Sequence, residues 1–122
     1  MKIALCHLEI SEGPECKNLA LLEQAVRIAA DNEAQWVITP ETAVQGYYFY
    51  KLNQDAVVPV QPSTQLNNLL ALVKAYSLYL FLGAGEYDSE LSCNFNSCIV
   101  FAPDGTVCGK HRKLISHGIC LL

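Results

Sequence analysis

Apolar and polar positions in the first third of the chain follow patterns that predict a strand, a helix and a second strand. The opening segment "KIALCHLEI" is rich in Ile and Leu and predicts a buried strand, followed by the turn chemistry of "SEGPE". From Asn18 to Asn32, apolar residues recur at steps of three and four, which predicts a helix packed on a sheet. The continuous apolar run of "AQWVITP" predicts a second strand that is covered on both faces.

The rest of the chain continues this alternation. The segment "STQLNNLLALVKAYS" predicts a second helix that Ser63 or Thr64 could cap, and "LYLFLGAGEYD" predicts a third strand. In "CNFNSCIVFAPDGTVCGKHRKL", two β-type runs flank "PDG", which indicates a hairpin. The order strand, helix, strand, helix, strand, hairpin favours an α/β layer architecture with helices on one face of the sheet or both. We interpret residues 1–122 as a single domain.

Composition and charge narrow the possible functions. The chain has 122 residues, of which 52% are hydrophobic and 16% charged, so it is globular rather than disordered. A net charge of −4, with one short basic cluster "KHRK" at 110–113, argues against nucleic-acid binding. The longest apolar stretch is about half of the roughly 20 residues that span a bilayer, so no membrane segment is expected. His7 and Glu9 interrupt the apolar start before an export signal could form, which favours a cytoplasmic location.

The six cysteines are predicted to be reduced, because no targeting segment exposes the chain to oxidant. A three-residue "PDG" loop would pair Ala102 with Thr106 and set Cys108 opposite Val100. Cys98 would then be only diagonal to Cys108, at about 7–8 Å, too far for a disulfide.

Two charged residues, Glu41 and Lys113, lie at strand ends, where the functional residues of α/β proteins are usually found. Glu41 comes directly after Pro40 at the carboxyl end of the second strand, although taken alone a capping or surface glutamate is the commoner case. Strand alternation puts His111 and Lys113 on one face of the hairpin and Lys110 and Arg112 on the other. At least one cation therefore turns toward the covered side of the sheet, where it needs a carboxylate partner. The alternative for "KHRK" is a solvated basic edge.

These segments together resemble the first half of the nitrilase, or carbon–nitrogen hydrolase, superfamily. The likeness covers nearly the whole chain and is strongest in "PE…GYYF" and in "NSCIVFAPDGTVCGKHRKL", which occur in that order and at that separation. The resemblance implies a fold that is half of a four-layer α-β-β-α sandwich. It also implies hydrolysis of a small-molecule amide or nitrile, with no cofactor and no metal.

Members of the family use a Glu–Lys–Cys triad, in which Glu41 falls at the general base and Lys113 at the cation that stabilises the tetrahedral intermediate. We therefore expect the two side chains to meet on one side of a shared sheet. Tyr47, Tyr48 and Phe49 either wall the pocket or are ordinary core aromatics.

The family's nucleophilic cysteine and second glutamate lie further beyond the lysine than these 122 residues extend. Cys120 is a weak candidate for the nucleophile, because it is close to Lys113 and lacks the flanking signature. We therefore expect this chain alone to be inactive, and to form a homo-oligomer or to associate with a complementary half.

Two alternatives come from other classes of protein. One is a non-catalytic interaction half-domain. The other is a zinc-binding module, since cysteine and histidine are typical zinc ligands, although the paired spacing of structural zinc sites is absent. Its possible ligands are Cys93, Cys98, Cys108, His111, His117 and Cys120.

Overall fold

A computed structural model describes residues 1–114 and shows five strands and three α-helices within that range. The elements are β1 (Ile3–Leu5), α1 (Glu15–Asp31), β2 (Trp36–Ile38), α2 (Phe49–Leu52), α3 (Asn67–Tyr76), β3 (Tyr79–Asp88), β4 (Cys93–Phe101) and β5 (Val107–Arg112). The predicted order of strands and helices is confirmed, and the short α2 is an addition that the sequence patterns did not predict.

The strands form one mixed sheet in the order β1-β2-β3-β4-β5. The pairs β1/β2 and β2/β3 are parallel, as expected for strands joined through helices, and the pairs β3/β4 and β4/β5 are antiparallel. Ile38, at the carboxyl end of β2, pairs with Phe81, the third residue of β3.

The helices α1 and α3 pack together on one face of the sheet, which decides between the one-face and two-face arrangements. Leu22 and Val26 of α1 meet Leu69 and Val73 of α3 over a single core, because the helical spacing of these residues builds one apolar stripe on each helix. The strands contribute every second residue to this core: Val37, Leu80, Leu82, Ile99 and Phe101.

The opposite face of the sheet is only partly covered among residues 1–114, and we call it the open face. In β2 only the central Val37 is buried, so the prediction of cover on both faces is wrong for the described residues. The apolar run reflects a second apolar surface that the two helices do not reach. Side chains of the open face are Ile3, Leu5, Trp36, Ile38, Tyr79 and Phe81, placed there by the strand register and alternation.

Helix boundaries differ from the predictions at both helix starts. Helix α1 begins at Glu15, three residues before Asn18, because Pro14 occupies the N-cap position with an extended backbone. A 3₁₀ turn, Thr64–Leu66, precedes α3, and neither Ser63 nor Thr64 makes a side-chain cap. The 3₁₀ turn moves the start of α3 beyond the reach of the predicted caps.

The hairpin between β4 and β5 has the predicted loop but a different register. The main-chain N–H of Ala102 donates to Thr106 O at 2.8 Å, which confirms the three-residue loop. Val100, however, pairs with Gly109 and Phe101 with Val107, so Cys108 is the extra residue of a β-bulge. The predicted pairing of Cys108 with Val100 is therefore wrong.

Candidate active site

The loop that carries Glu41 crosses directly over β3 at Gly83. The Gly83 N–H donates to Thr39 Oγ1 at 2.9 Å, and the Val44 N–H donates to Gly83 O at 3.3 Å. A Cβ atom at Gly83 would collide with Pro40 O and would lie 2.9 Å from Thr42 N. Only glycine allows the loop to approach the strand this closely, and this approach places Glu41 over the sheet.

Glu41 meets Lys113 on one side of the sheet, as the sequence predicts. The Lys113 ammonium lies 2.7 Å from Glu41 Oε1, and the same oxygen accepts a hydrogen bond of 2.6 Å from the side-chain amide of Asn96. The three residues come from the loop after β2, from β4 and from the residue that follows β5. Residues that are 72 positions apart in the chain thus form one cluster.

The carboxylate of Glu41 is stabilised in its ionised form. The hydrogen bond from Lys113 lowers the pKa of Glu41, burial opposes this, and the hydrogen bond from Asn96 and the charge of Lys113 lower it further. The net pKa lies below the ordinary value, so Glu41 is ionised at neutral pH and ready to accept a proton. Both charged side chains remain accessible, with exposed fractions of 40% for Glu41 and 49% for Lys113.

A cavity of about 480 Å³ opens beside this pair. It is large enough for a small organic molecule. Its lining residues are Thr39, Pro40, Glu41, Gly83, Asn96, Ser97, Cys98, His111, Lys113 and Leu114.

The other face of the same hairpin carries a second cluster of charges around Glu86. This carboxylate is 2% exposed, and it lies 2.7 Å from both the Lys110 ammonium and the Arg112 Nε. It also accepts a hydrogen bond of 2.8 Å from the Ser97 hydroxyl. The predicted alternation is therefore confirmed, since Lys113 faces Glu41 while Lys110 and Arg112 turn toward a buried carboxylate.

Arg112 is fixed by two further contacts. Its guanidinium donates to Asp88 Oδ2 at 2.9 Å and lies 4.1 Å from the centre of the Phe95 ring. Because Arg112 directly precedes Lys113 in the chain, these contacts also fix the backbone that carries Lys113.

Comparison with models of protein families identifies the family of the chain. The family model for carbon-nitrogen hydrolases matches residues 2–117. The chain belongs to the carbon-nitrogen hydrolase family. Among curated relatives, the omega-amidase NIT2 of Bos taurus is 31% identical over 113 residues, and a citrullinase of Francisella tularensis is 28% identical over 118 residues. Each alignment covers 93% of this chain and 40% of the relative, so the chain spans about two fifths of the length of these proteins.

Solved structures of the same superfamily share the fold. Crystalline Nit3 of Saccharomyces cerevisiae, a member of the nitrilase superfamily, superposes with a TM-score of 0.78 at 25% identity, covering 94% of this chain and 44% of that protein. An amidase from Nesterenkonia sp. superposes with a TM-score of 0.79 at 20% identity, covering 94% of this chain and 43% of that protein. The described sheet and helices are thus part of a nitrilase fold.

The three aromatic residues after Glu41 do not line its cavity. Gly46 adopts a positive φ of 105°, and the next two N–H groups, of Tyr47 and Tyr48, donate to Ile10 O and Ser11 O. These two hydrogen bonds hold the backbone of Tyr47 and Tyr48 against the segment that precedes α1. Tyr47 and Tyr48 are 59% and 48% exposed to solvent. The prediction that Tyr47, Tyr48 and Phe49 wall the pocket is therefore wrong. The alternative of core burial is wrong for Tyr47 and Tyr48, and Phe49 lines a separate cavity.

Not all of the described cysteines are reduced, contrary to the prediction from the sequence. Cys6, Cys16, Cys98 and Cys108 are free, whereas Cys93 is disulfide-bonded. The prediction of six reduced cysteines is therefore wrong. It rested on the expected compartment and on the geometry of Cys98 and Cys108 alone, which does not constrain Cys93.

The described part of the chain contains no group of three or more His, Cys, Asp or Glu side chains arranged to bind a metal ion. Within the zinc alternative, Cys98 and His111 are paired across β4 and β5. His117 and the alternative nucleophile Cys120 lie outside the described residues. In residues 1–114, no helix is both long enough and apolar enough to cross a bilayer.

Proposed function

We propose that this chain supplies the base and the cation of an amidase-type carbon–nitrogen hydrolase site. The observation that carries the proposal is the contact between Glu41 and Lys113 beside an open cavity. Relatives named omega-amidase and citrullinase, and an amidase of Nesterenkonia sp. AN1 crystallised with acrylamide, favour a small linear amide over a nitrile as substrate.

In the proposed reaction, ionised Glu41 accepts the proton of a cysteine thiol as the sulfur attacks the amide carbon. The ammonium of Lys113 stabilises the negative charge that develops on the tetrahedral intermediate. The proton then leaves with the amine, and Glu41 activates a water molecule that hydrolyses the thioester. The nucleophilic cysteine is to come from chain beyond the described residues or from a partner.

Association is part of the proposal, because the family's nucleophilic cysteine is not among residues 1–114. Cys98 does line the cavity, but burial raises its pKa, which disfavours the thiolate that a nucleophile needs. The open face is the surface that such a partner would cover. It is apolar and includes Ile3 and Leu5, which are 44% and 64% exposed. A second copy of the chain, or a complementary half of the domain, would shield it from water.

The cytoplasmic location is likewise retained as a proposal. Its ground, the absence of an export signal, is a sequence interpretation. The reduced thiols that this location leads us to expect are not found at Cys93. Fractionation of cells that express the chain tests the location directly.

The proposed activity predicts a contrast between the 122-residue chain and any longer product of the same gene. With short amides and nitriles as substrates and ammonia release as the readout, the 122-residue chain is expected to show no turnover above background. A longer product that contains the family cysteine is expected to hydrolyse amides. In that product, Glu41→Gln and Lys113→Ala should each lower kcat by about 10²-fold or more, since each removes a group that acts in the transition state.

The matched control is Glu90→Gln, which changes an exposed carboxylate and should leave kcat unaltered. Full activity of Glu41→Gln in the longer product would exclude the proposed base. If the 122-residue chain itself shows turnover, Cys98→Ala and Cys120→Ala identify whether either thiol is the nucleophile. Such turnover would contradict the expected inactivity and would make the chain a complete enzyme.

A further inference from the structure

Asn96 of β4 contacts both members of the Glu41–Lys113 pair through different groups. Its side-chain Nδ2 donates to Glu41 Oε1 at 2.6 Å, and its main-chain oxygen accepts a hydrogen bond of 2.8 Å from the Lys113 N–H. Asn96 is only 8% exposed. We propose that Asn96 is a positioning residue that anchors Glu41 through Oε1 and so leaves Oε2 as the oxygen that accepts the proton. The inference rests on the proposed function, in which Glu41 is the base.

The direction of the hydrogen bonds separates the two oxygens of Glu41. Lys113 Nζ and Asn96 Nδ2 both donate to Oε1, at 2.7 and 2.6 Å. Within residues 1–114, no group donates to Oε2. An oxygen that already accepts two short hydrogen bonds has little capacity left for a proton, whereas its free neighbour keeps its lone pairs available. Asn96 therefore determines which oxygen of Glu41 accepts the proton.

Asn96 is better suited than Lys113 to fix the orientation of the carboxylate. The side chains of Lys113 and Glu41 are 49% and 40% exposed, and an exposed ion pair between two flexible side chains is weakly ordered. The Asn96 side chain is short, nearly buried and attached to a central part of β4. Its backbone bond to Lys113 also sets the point from which the lysine side chain extends.

The amide is suited to this role because it donates a hydrogen bond without a charge of its own. The other titratable groups that line the cavity beside Glu41 are Lys113 and His111 at β5 and Cys98 on β4. Unlike these groups, the amide of Asn96 does not titrate. The donor group that anchors Oε1 therefore has the same charge at every pH.

The proposal is tested by NMR titration of the carboxyl carbons of the 122-residue chain, which needs no catalytic activity. We expect Asn96→Ala to raise the pKa of Glu41, because a hydrogen bond to the ionised form is lost. Asn96→Asp keeps the size of the side chain and should raise this pKa further, since it places a second carboxylate beside the first. The carboxyl of Glu86, on the other face of the sheet, serves as an internal reference and should titrate unchanged in both variants.

Asn94→Ala is the matched control. Asn94 lies two residues earlier on the same strand, but its side chain donates to Ala56 O and accepts from the Val58 N–H, so it does not contact Glu41. A positioning role predicts that the pKa of Glu41 shifts in the Asn96 variants and not in Asn94→Ala. An unchanged Glu41 pKa in Asn96→Ala and Asn96→Asp would overturn the proposal, and so would an equal shift in Asn94→Ala. Because the readout is independent of turnover, an inactive longer product would refute the proposed function without affecting this result.

Discussion

Replacing Glu86 by alanine is expected to lower the free energy of unfolding by about 3 kcal/mol, the low end of the range for removing one member of a buried ion pair. The substitution leaves Lys110 and Arg112 without the carboxylate that both of them contact at 2.7 Å. We expect the low end of this range because Lys110 is partly exposed to water and Arg112 retains its salt bridge with Asp88. Urea denaturation at neutral pH measures the difference.

The matched control for this prediction is Glu90→Ala, which removes an exposed carboxylate close by in the chain and should change stability by less than about 0.5 kcal/mol. Equal stability of Glu86→Ala and Glu90→Ala would show that the Glu86 cluster does not stabilise the fold.

The contribution of Glu86 should also depend on pH. Burial raises the pKa of Glu86, but the hydrogen bonds from Lys110, Arg112 and Ser97 outweigh it, so the net pKa lies below the ordinary 4.5. A carboxyl whose pKa is lower in the folded state stabilises the protein above its unfolded pKa, and this contribution is lost as pH falls through the folded pKa. The stability difference between the native chain and Glu86→Gln is therefore expected to be full above about pH 5 and to shrink below pH 4.5.

The sequence predicts the strand and helix order because the relevant signals are local. The apolar periodicity of α1 and α3, the "PDG" loop and the alternation along "KHRK" each depend on residues that are close in the chain. Alternation alone assigned Lys110 and Lys113 to opposite faces, and the structure confirms it. The contact between Glu41 and Lys113 was expected from the family motif as well as from their positions at strand ends.

Other features depend on contacts that no local pattern encodes. The carboxylate partner of Arg112 proved to be Glu86, which is 26 residues away on β3, and a charged residue inside that apolar run was the one available signal. The bulge at Cys108 and the turn at Gly46 each change the direction of the chain at a single residue. Sequence spacing assumes regular geometry, so it misplaced Cys108 in the hairpin register and Tyr47 and Tyr48 relative to the cavity.

The last prediction concerns the close approach at Gly83. Gly83→Ala is expected to lower the free energy of unfolding by about 1–3 kcal/mol, since the new methyl group would meet main-chain atoms of the Glu41 loop and not a flexible side chain. The loop must move away from β3 to admit it. Glu41 should then lose its contact with Asn96, and its pKa should rise toward the ordinary value.

Gly109→Ala is the matched control for Gly83→Ala, because Gly109 is also a strand glycine and its added Cβ would make an ordinary contact of 3.7 Å with the Val100 side chain. Alanine at a glycine position that tolerates it restricts the unfolded chain, so Gly109→Ala should be neutral or slightly stabilising. Urea denaturation and the NMR titration of Glu41 measure both variants. If Gly83→Ala proved as stable as Gly109→Ala and left the pKa of Glu41 unchanged, the position of Glu41 over the sheet would not depend on this glycine. The expected result instead links one methyl group on β3 to both the stability of the fold and the protonation of the proposed base.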